Sequence, residues 1–161
     1  LDSRLVEADV YDIPDGLGRH DLVLITIGVL NWMPELRRFF QVVRGLMHPG
    51  ALLVIYESHP MLEMFNPDSA CPFVPENCYF DKTPVRIEDA ITYDGSDGGA
   101  GETGYWFVHT LGEIVTACVQ SGLLLQRLEE HPHLNREVDY AIYENQSAQM
   151  PLCYTLVAVA A

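Results

Sequence analysis

Between His20 and Pro60 the spacing of apolar and polar positions changes period twice. Asp21-Leu22-Val23-Leu24-Ile25-Thr26-Ile27 is almost continuously apolar, the pattern of a strand buried on both faces of a parallel sheet. Gly28-Val29-Leu30-Asn31-Trp32 ends the run. Leu36, Phe39, Phe40, Val43, Leu46 and Met47 then recur at helical spacing, opposite Glu35, Arg37, Arg38, Gln41 and Arg44, which predicts an amphipathic helix. His48-Pro49-Gly50 stops the helix, and Ala51-Leu52-Leu53-Val54-Ile55-Tyr56 predicts a second buried strand. Strand, helix and strand together make a β-α-β unit. Ligands of open α/β sheets bind beyond the carboxyl ends of such strands, here Ile27-Gly28 and Glu57-Ser58-His59-Pro60.

On either side the pattern is less regular. Arg4 to Val10 predicts a short strand, followed by the loop Tyr11-Asp12-Ile13-Pro14-Asp15-Gly16. Residues 60–106 carry prolines at 60, 67, 72, 75 and 84 and several aromatics; a connection this long covers a site or is partly disordered. Within it, Ile87 to Tyr93 and Tyr105 to Val108 predict a hairpin closed by the Gly-rich 95–104 tip. Thr110 and Glu113 have capping-box spacing. Leu111, Ile114, Val115 and Cys118 mark a helix face, and Gly122 is its stop. Leu123 to Leu128 predicts a strand, His131 to Met150 a polar excursion in which Tyr140-Ala141-Ile142-Tyr143 can pair locally, and Cys153 to Ala160 a final strand. Strands alternating with helices define an α/β fold. The last two strands lack a helical crossover, so the final one is expected to run antiparallel to its neighbour.

Composition narrows the function classes. The 161 residues, 48% hydrophobic, suit one domain with a sizeable core. No apolar run reaches the length of a membrane span, and Leu1-Asp2-Ser3-Arg4 is not a signal peptide. A first residue other than Met marks a processed chain or part of a longer one. A net charge of −14, with only 9 Lys and Arg, disfavours nucleic acid as a partner. Cys71, Cys78, Cys118 and Cys153 form no C-x-x-C pair, so no metal site is expected. Cys118 and Cys153 lie in apolar patterns, and a bridge between Cys71 and Cys78 is allowed but not required. A cytoplasmic location is expected.

Several residues carry candidate chemistry, each beside a plainer role. Gly99-Ala100-Gly101-Glu102-Thr103-Gly104 has the literal G-x-G-x-x-G spacing. It follows an acidic turn rather than a strand and precedes no helix start, so it is expected to be a loop tip. Asp9 can accept a hydrogen bond from a ligand amino group or cap its own turn. Gly28 permits close approach to a ligand or a tight turn, and Trp32 walls a pocket or packs on the core. His59 and His109 can serve as general bases or be held structurally. His131-Pro132-His133 lacks the partners of a metal site. Ser58 has no nucleophile elbow around it.

Three blocks in order, Ala8-Asp9-Val10-Tyr11-Asp12-Ile13-Pro14, Asp21-Leu22-Val23 and Leu46-Met47-His48-Pro49-Gly50-Ala51-Leu52-Leu53-Val54, resemble the later motifs of class I S-adenosylmethionine-dependent methyltransferases. Ile27–Pro34, Glu57–Pro60, Tyr79-Phe80, Trp106–Ile114 and Ser121–Leu123 resemble a bacterial, small-molecule-type subgroup of that family. The resemblance implies a Rossmann-like, mostly parallel sheet whose last strand is antiparallel, and S-adenosylmethionine as cofactor. It implies that Asp9 binds the adenine amino group and Val10 the ring through its backbone. Thr26, Ile27, Gly28 and Leu30 would line the cofactor. Residues 60–106 would form a substrate-side insert, with Trp32, Tyr79 and Trp106 against a small-molecule acceptor and His59 and His109 as candidate catalytic residues. The family's Gly-rich first motif and ribose-holding acidic residue lie upstream of the Asp9 strand. Residues 1–161 are therefore expected to be a partial domain without its N-terminal strands, completed by a missing N-terminal segment or by a second chain, as in a homo-oligomer. The rival expectations are a non-catalytic α/β fragment or partner subunit without cofactor binding, and a nicotinamide-linked oxidoreductase.

Overall fold

The computed structural model describes residues 3–89, 100–135 and 138–161. In chain order its elements are β1 (His20–Thr26), α1 (Leu36–Gly45), β2 (Met47–Ser58), β3 (Val85–Asp89), β4 (Ala100–Trp106), α2 (Leu111–Gln120), β5 (Leu123–His131) and β6 (Cys153–Ala160). Short 3-10 turns occupy Leu30–Trp32, Pro60–Met64 and Val138–Tyr143. The β-α-β unit is present: β1 and β2 pair in parallel, with Leu24 opposite Val54 and Ile25 opposite Ile55. β6 inserts antiparallel between β2 and β5, giving the order β1-β2-β6-β5. Three strands thus point one way and the last strand the other, as its lack of a helical crossover predicted.

One face of this sheet is built into a core. Ile25, Leu53, Ile55, Leu156 and Ala158 pack with Phe39, Phe40 and Val43 of α1 and with Ile114, Ala117 and Cys118 of α2. The i, i+3, i+4 spacing of these helix residues puts them on one stripe. The α2 start is fixed by the capping box: Thr110 Oγ1 accepts from Glu113 N at 3.2 Å, and Glu113 Oε2 accepts from Thr110 N at 2.8 Å. Gly122, at φ +80°, ends the helix.

The other face differs from expectation. β1 reads as buried on both sides, yet Leu22 and Leu24 are 58% and 62% exposed, because among the described residues no layer packs over them. The predicted strand from Arg4 to Val10 is also absent, and residues 3–9 have no regular structure. A strand needs a neighbour to satisfy its backbone groups, and none of the described residues supplies one there. β2 starts at Met47 rather than Ala51. His20 faces Met47 but Leu22 faces Leu52, so the His48-Pro49-Gly50 turn is absorbed as a bulge, with Gly50 at φ +80°.

The 60–106 insert holds the predicted hairpin with shifted bounds. β3 and β4 are antiparallel, with Val85 opposite Trp106 and Ile87 opposite Gly104. Ala100 to Gly104 therefore lie in a strand, not in a loop tip; Gly99, Tyr93 and the rest of 90–99 fall outside the described residues. Tyr140 to Tyr143 form a 3-10 turn instead of pairing as a strand. Tyr143 is fully buried with Leu62 and Leu152, and its hydroxyl donates to Pro72 O at 2.9 Å. Among the described residues no helix is long and apolar enough to cross a membrane.

Candidate functional site

At the carboxyl end of β1 the chain turns sharply through two residues of positive φ, Ile27 at +31° and Gly28 at +81°. Glycine adopts this conformation freely, whereas for isoleucine it is strained. The turn aims three successive N–H groups at one carboxylate. Gly28 N donates to Glu57 Oε2, and Val29 N and Leu30 N donate to Oε1 at 2.9 and 3.3 Å. Glu57 stands one strand over, at the end of β2, and is 3% exposed. Such a nest of N–H groups binds anions, and here the chain supplies its own. Burial raises the Glu57 pKa, and the three N–H bonds oppose that rise. The sequence placed Glu57 at a strand end but gave it no role; its signal was an acidic residue directly after the apolar Val54-Ile55-Tyr56.

The loop held by Glu57 leads into the Leu30–Trp32 turn, where the hairpin docks. Asn31 O accepts from Phe107 N at 2.7 Å, and Asn31 Nδ2 donates to Phe107 O at 3.1 Å. Trp32 meets Trp106 edge to face, with ring centroids 5.2 Å apart. A Cβ on Gly104 would lie 2.9 Å from Trp32 Cζ3, so only glycine admits this packing. A Cβ on Gly28 would lie 4.0 Å from Trp106 Cη2. The Trp106 indole thus lies over the strand-end loop, and its Nε1 donates to Glu63 Oε1 at 3.1 Å. The fold brings Gly28, Trp32 and Trp106 together. In the sequence Gly104 stands out only as the last glycine of the G-x-G-x-x-G match, because its packing constraint comes from a tryptophan over seventy positions away.

The remaining predicted residues are dispersed around this centre. Tyr79 is not part of it: its hydroxyl accepts from Leu111 N at 3.0 Å and ties the insert to the start of α2. His59 has both ring nitrogens engaged. Nδ1 accepts from Met61 N at 3.1 Å, and Nε2 lies 2.9 Å from Glu130 Oε1. The Nδ1 bond makes Nε2 the protonated nitrogen, so the ring caps the Pro60–Met64 turn. Burial lowers the His59 pKa, opposed by Glu130. His109 Nε2 donates to Met33 O at 2.8 Å; burial lowers its pKa, and the Met33 bond opposes this. Asp9 caps its own turn, with Oδ1 accepting from Tyr11 N at 2.8 Å. Val10 packs against the core, while the Tyr11 hydroxyl accepts from Glu35 N at 3.1 Å. Thr26 and Ile27 are exposed at the strand end, and Leu30 is buried beneath it.

Two clefts flank these elements. One of about 450 Å³ lies beside Glu63 and Trp106. Another of about 500 Å³ opens between α1 and α2, beside Leu36, His109 and Ala117. The second is on the helix side and does not touch the Ile27–Trp32 loop.

No family model and no curated protein matches the chain. Solved structures do. An S-adenosylmethionine-dependent methyltransferase from Mesorhizobium loti is similar at TM-score 0.55 and 15% identity, over 94% of this chain and 67% of the other. One from Clostridium acetobutylicum is similar at TM-score 0.57 and 10% identity, over 99% and 65%. The glycopeptide N-methyltransferase MtfA, solved with S-adenosyl-L-methionine, is similar at TM-score 0.54 and 16% identity, over 96% and 59%. The chain spans about two thirds of the length of the first two. At these identities the likeness concerns fold: the chain has the fold of S-adenosylmethionine-dependent methyltransferases.

Proposed function

We propose that this chain forms the carboxyl-terminal part of an S-adenosylmethionine-dependent methyltransferase acting on a small molecule, and that it works in the cytoplasm. What supports this most is the likeness of the fold, with its sheet order β1-β2-β6-β5 and antiparallel β6, to solved methyltransferases, combined with a firmly held loop at the end of β1. The residues present fit one wall of a cofactor site. Thr26 and Ile27 are open at the strand end, and the Gly28 backbone is unscreened by any side chain of its own. Asp9 is exposed, with a second carboxylate oxygen beyond the one that caps its turn. Asp9 would take the adenine amino group, Val10 the ring, and Thr26, Ile27 and Gly28 the adjoining edge, which rests on the buried Leu30. We assign the opposite wall to a segment upstream of Leu1 or to a second chain.

When bound, the cofactor supplies a methyl group already activated on a sulfonium sulfur. The task of the protein is then to align the acceptor and keep water out. Glu57 fixes the loop backbone, and Trp32 and Trp106 form an apolar wall on it. His59 and His109 act as positioning residues, His59 for the turn that carries Glu63 and His109 for Met33. Tyr79 holds the insert to α2.

Isothermal titration of an N-terminally extended protein with S-adenosylhomocysteine tests the assignment. Asp9→Ala is expected to weaken binding about tenfold, the value of one good hydrogen bond. Unchanged affinity in Asp9→Ala would remove the adenine role.

A further inference from the structure

The 450 Å³ cleft between the 63–77 segment and the hairpin has an unusual lining. Phe65, Trp106 and Tyr140 contribute aromatic rings, and Glu63 and Glu76 contribute carboxylates. Glu63 is the informative one. Its Oε1 accepts from the Trp106 indole at 3.1 Å and lies 3.5 Å from Asn31 Nδ2. Both donors are neutral and both reach the same oxygen, which leaves Oε2 as the acceptor for a guest. Among the described residues the ion pairs involve Glu130, Glu113, Glu88 and Glu129, not Glu63. Among the described residues no Lys or Arg lines the cleft. A largely buried carboxylate without a counter-charge is costly, and burial accordingly raises its pKa.

An occupant must satisfy this carboxylate and also cover aromatic surface. A metal ion does only the first, and among the described residues no group of three His, Cys, Asp or Glu is placed to hold one. A neutral alcohol leaves the charge unbalanced. An alkylammonium group does both, since its N–H groups bond a carboxylate and its charge is attracted to ring faces. The excess of 23 acidic over 9 basic residues draws cations toward such a cleft. Its position is also apt. Trp106 bonds Glu63 and lies over Gly28, so a guest on Glu63 is separated from the strand-end loop by a single indole.

We propose that this cleft recognises the methyl acceptor through a protonated amine, with N–H groups on Glu63 Oε2 and the carbon skeleton against Trp106 and Phe65. Calling the guest the acceptor rests on the methyltransferase assignment; the recognition itself does not. The amine is a handle for binding, whichever atom is methylated.

The chain contains two tryptophans, Trp32 and Trp106, and they touch. Intrinsic fluorescence therefore reports on this cleft. Titration with 2-phenylethylamine should change the emission saturably, with at least about tenfold higher affinity than neutral 2-phenylethanol. Glu63→Gln keeps an acceptor for the indole and should abolish that preference, while Glu76→Gln, at the exposed rim, should reduce it less. In the unaltered protein the preference should fade as pH drops through the raised pKa of Glu63, a readout that needs no variant. Equal affinity for amine and alcohol would overturn the proposal, as would a preference that survives in Glu63→Gln. S-adenosylhomocysteine titration of the extended protein reads the methyltransferase assignment separately. Amine preference without cofactor binding would sustain the cleft and refute the enzyme.

Discussion

Leu53, Ile55 and Leu156 are fully buried on the helix side of the sheet, while on the opposite side Leu22, Leu52 and Leu124 are 58%, 43% and 54% exposed. The exposed set is not scattered. Leu22 pairs with Leu52, Leu52 with Val159, and Val159 with Leu124, so one continuous row of apolar side chains crosses all four strands. Side chains alternate between faces along a strand, and both faces were written in apolar residues. Only one is covered by α1 and α2. A contiguous apolar surface of this kind marks an interaction site. We attribute it to the same upstream segment or second chain that would supply the other wall of the cofactor site.

Phe40 and Leu24 give the sharpest contrast between the faces. Phe40→Ala, at a fully buried position, should cost about 3–5 kcal/mol in denaturant unfolding. Leu24→Ala should cost roughly 0.5 kcal/mol or less in this chain. In an N-terminally extended protein the Leu24→Ala cost should rise to roughly 2 kcal/mol as the site becomes buried. A small cost in both would mean that the open face is simply solvated.

Glu57, on the covered side, holds the strand-end loop. Glu57→Gln places an amide NH2 against the Gly28 N–H, and should cost roughly 2 kcal/mol near pH 5. Burial raises the Glu57 pKa above the ordinary 4.5. Its contribution to stability is therefore complete below that ordinary value and is lost as pH rises through the raised one. The gap between wild type and Glu57→Gln should narrow toward neutral pH, measured as the difference in melting temperature. A gap that widens with pH would mean that the N–H nest outweighs burial. Gly104→Ala ranks next, at roughly 1–2 kcal/mol from overpacking against Trp32, with a shift in tryptophan emission as the marker. An unchanged spectrum would show that the two indoles are not locked together.

What the sequence made legible follows from how far each constraint reaches. Local periodicity defines β1, α1, α2 and the final strand, and the Thr110/Glu113 box is a contact over three residues. The strand expected at Arg4 to Val10 failed for the opposite reason. Its residues favour extension, but extension persists only where a second strand bonds it. Ala100 to Gly104 were expected to turn because glycines favour turns, yet β3 supplies a partner and Trp32 requires the missing side chain at Gly104. Glu57 was invisible as an anchor because its three donors lie 27–29 positions earlier and converge only after the chain turns at Ile27 and Gly28. His59, at the end of a strand, could be read as a base or as a structural residue; the structure shows a cap whose two nitrogens are already bonded.

The most direct measurement is calorimetric titration of S-adenosylhomocysteine into two proteins, the 161-residue chain and one extended upstream of Leu1. One wall alone should bind weakly, and completing the site should raise affinity by at least about tenfold, or 1.4 kcal/mol. Absence of binding by the extended protein would contradict the methyltransferase assignment, and equal binding by the two would contradict the half-site.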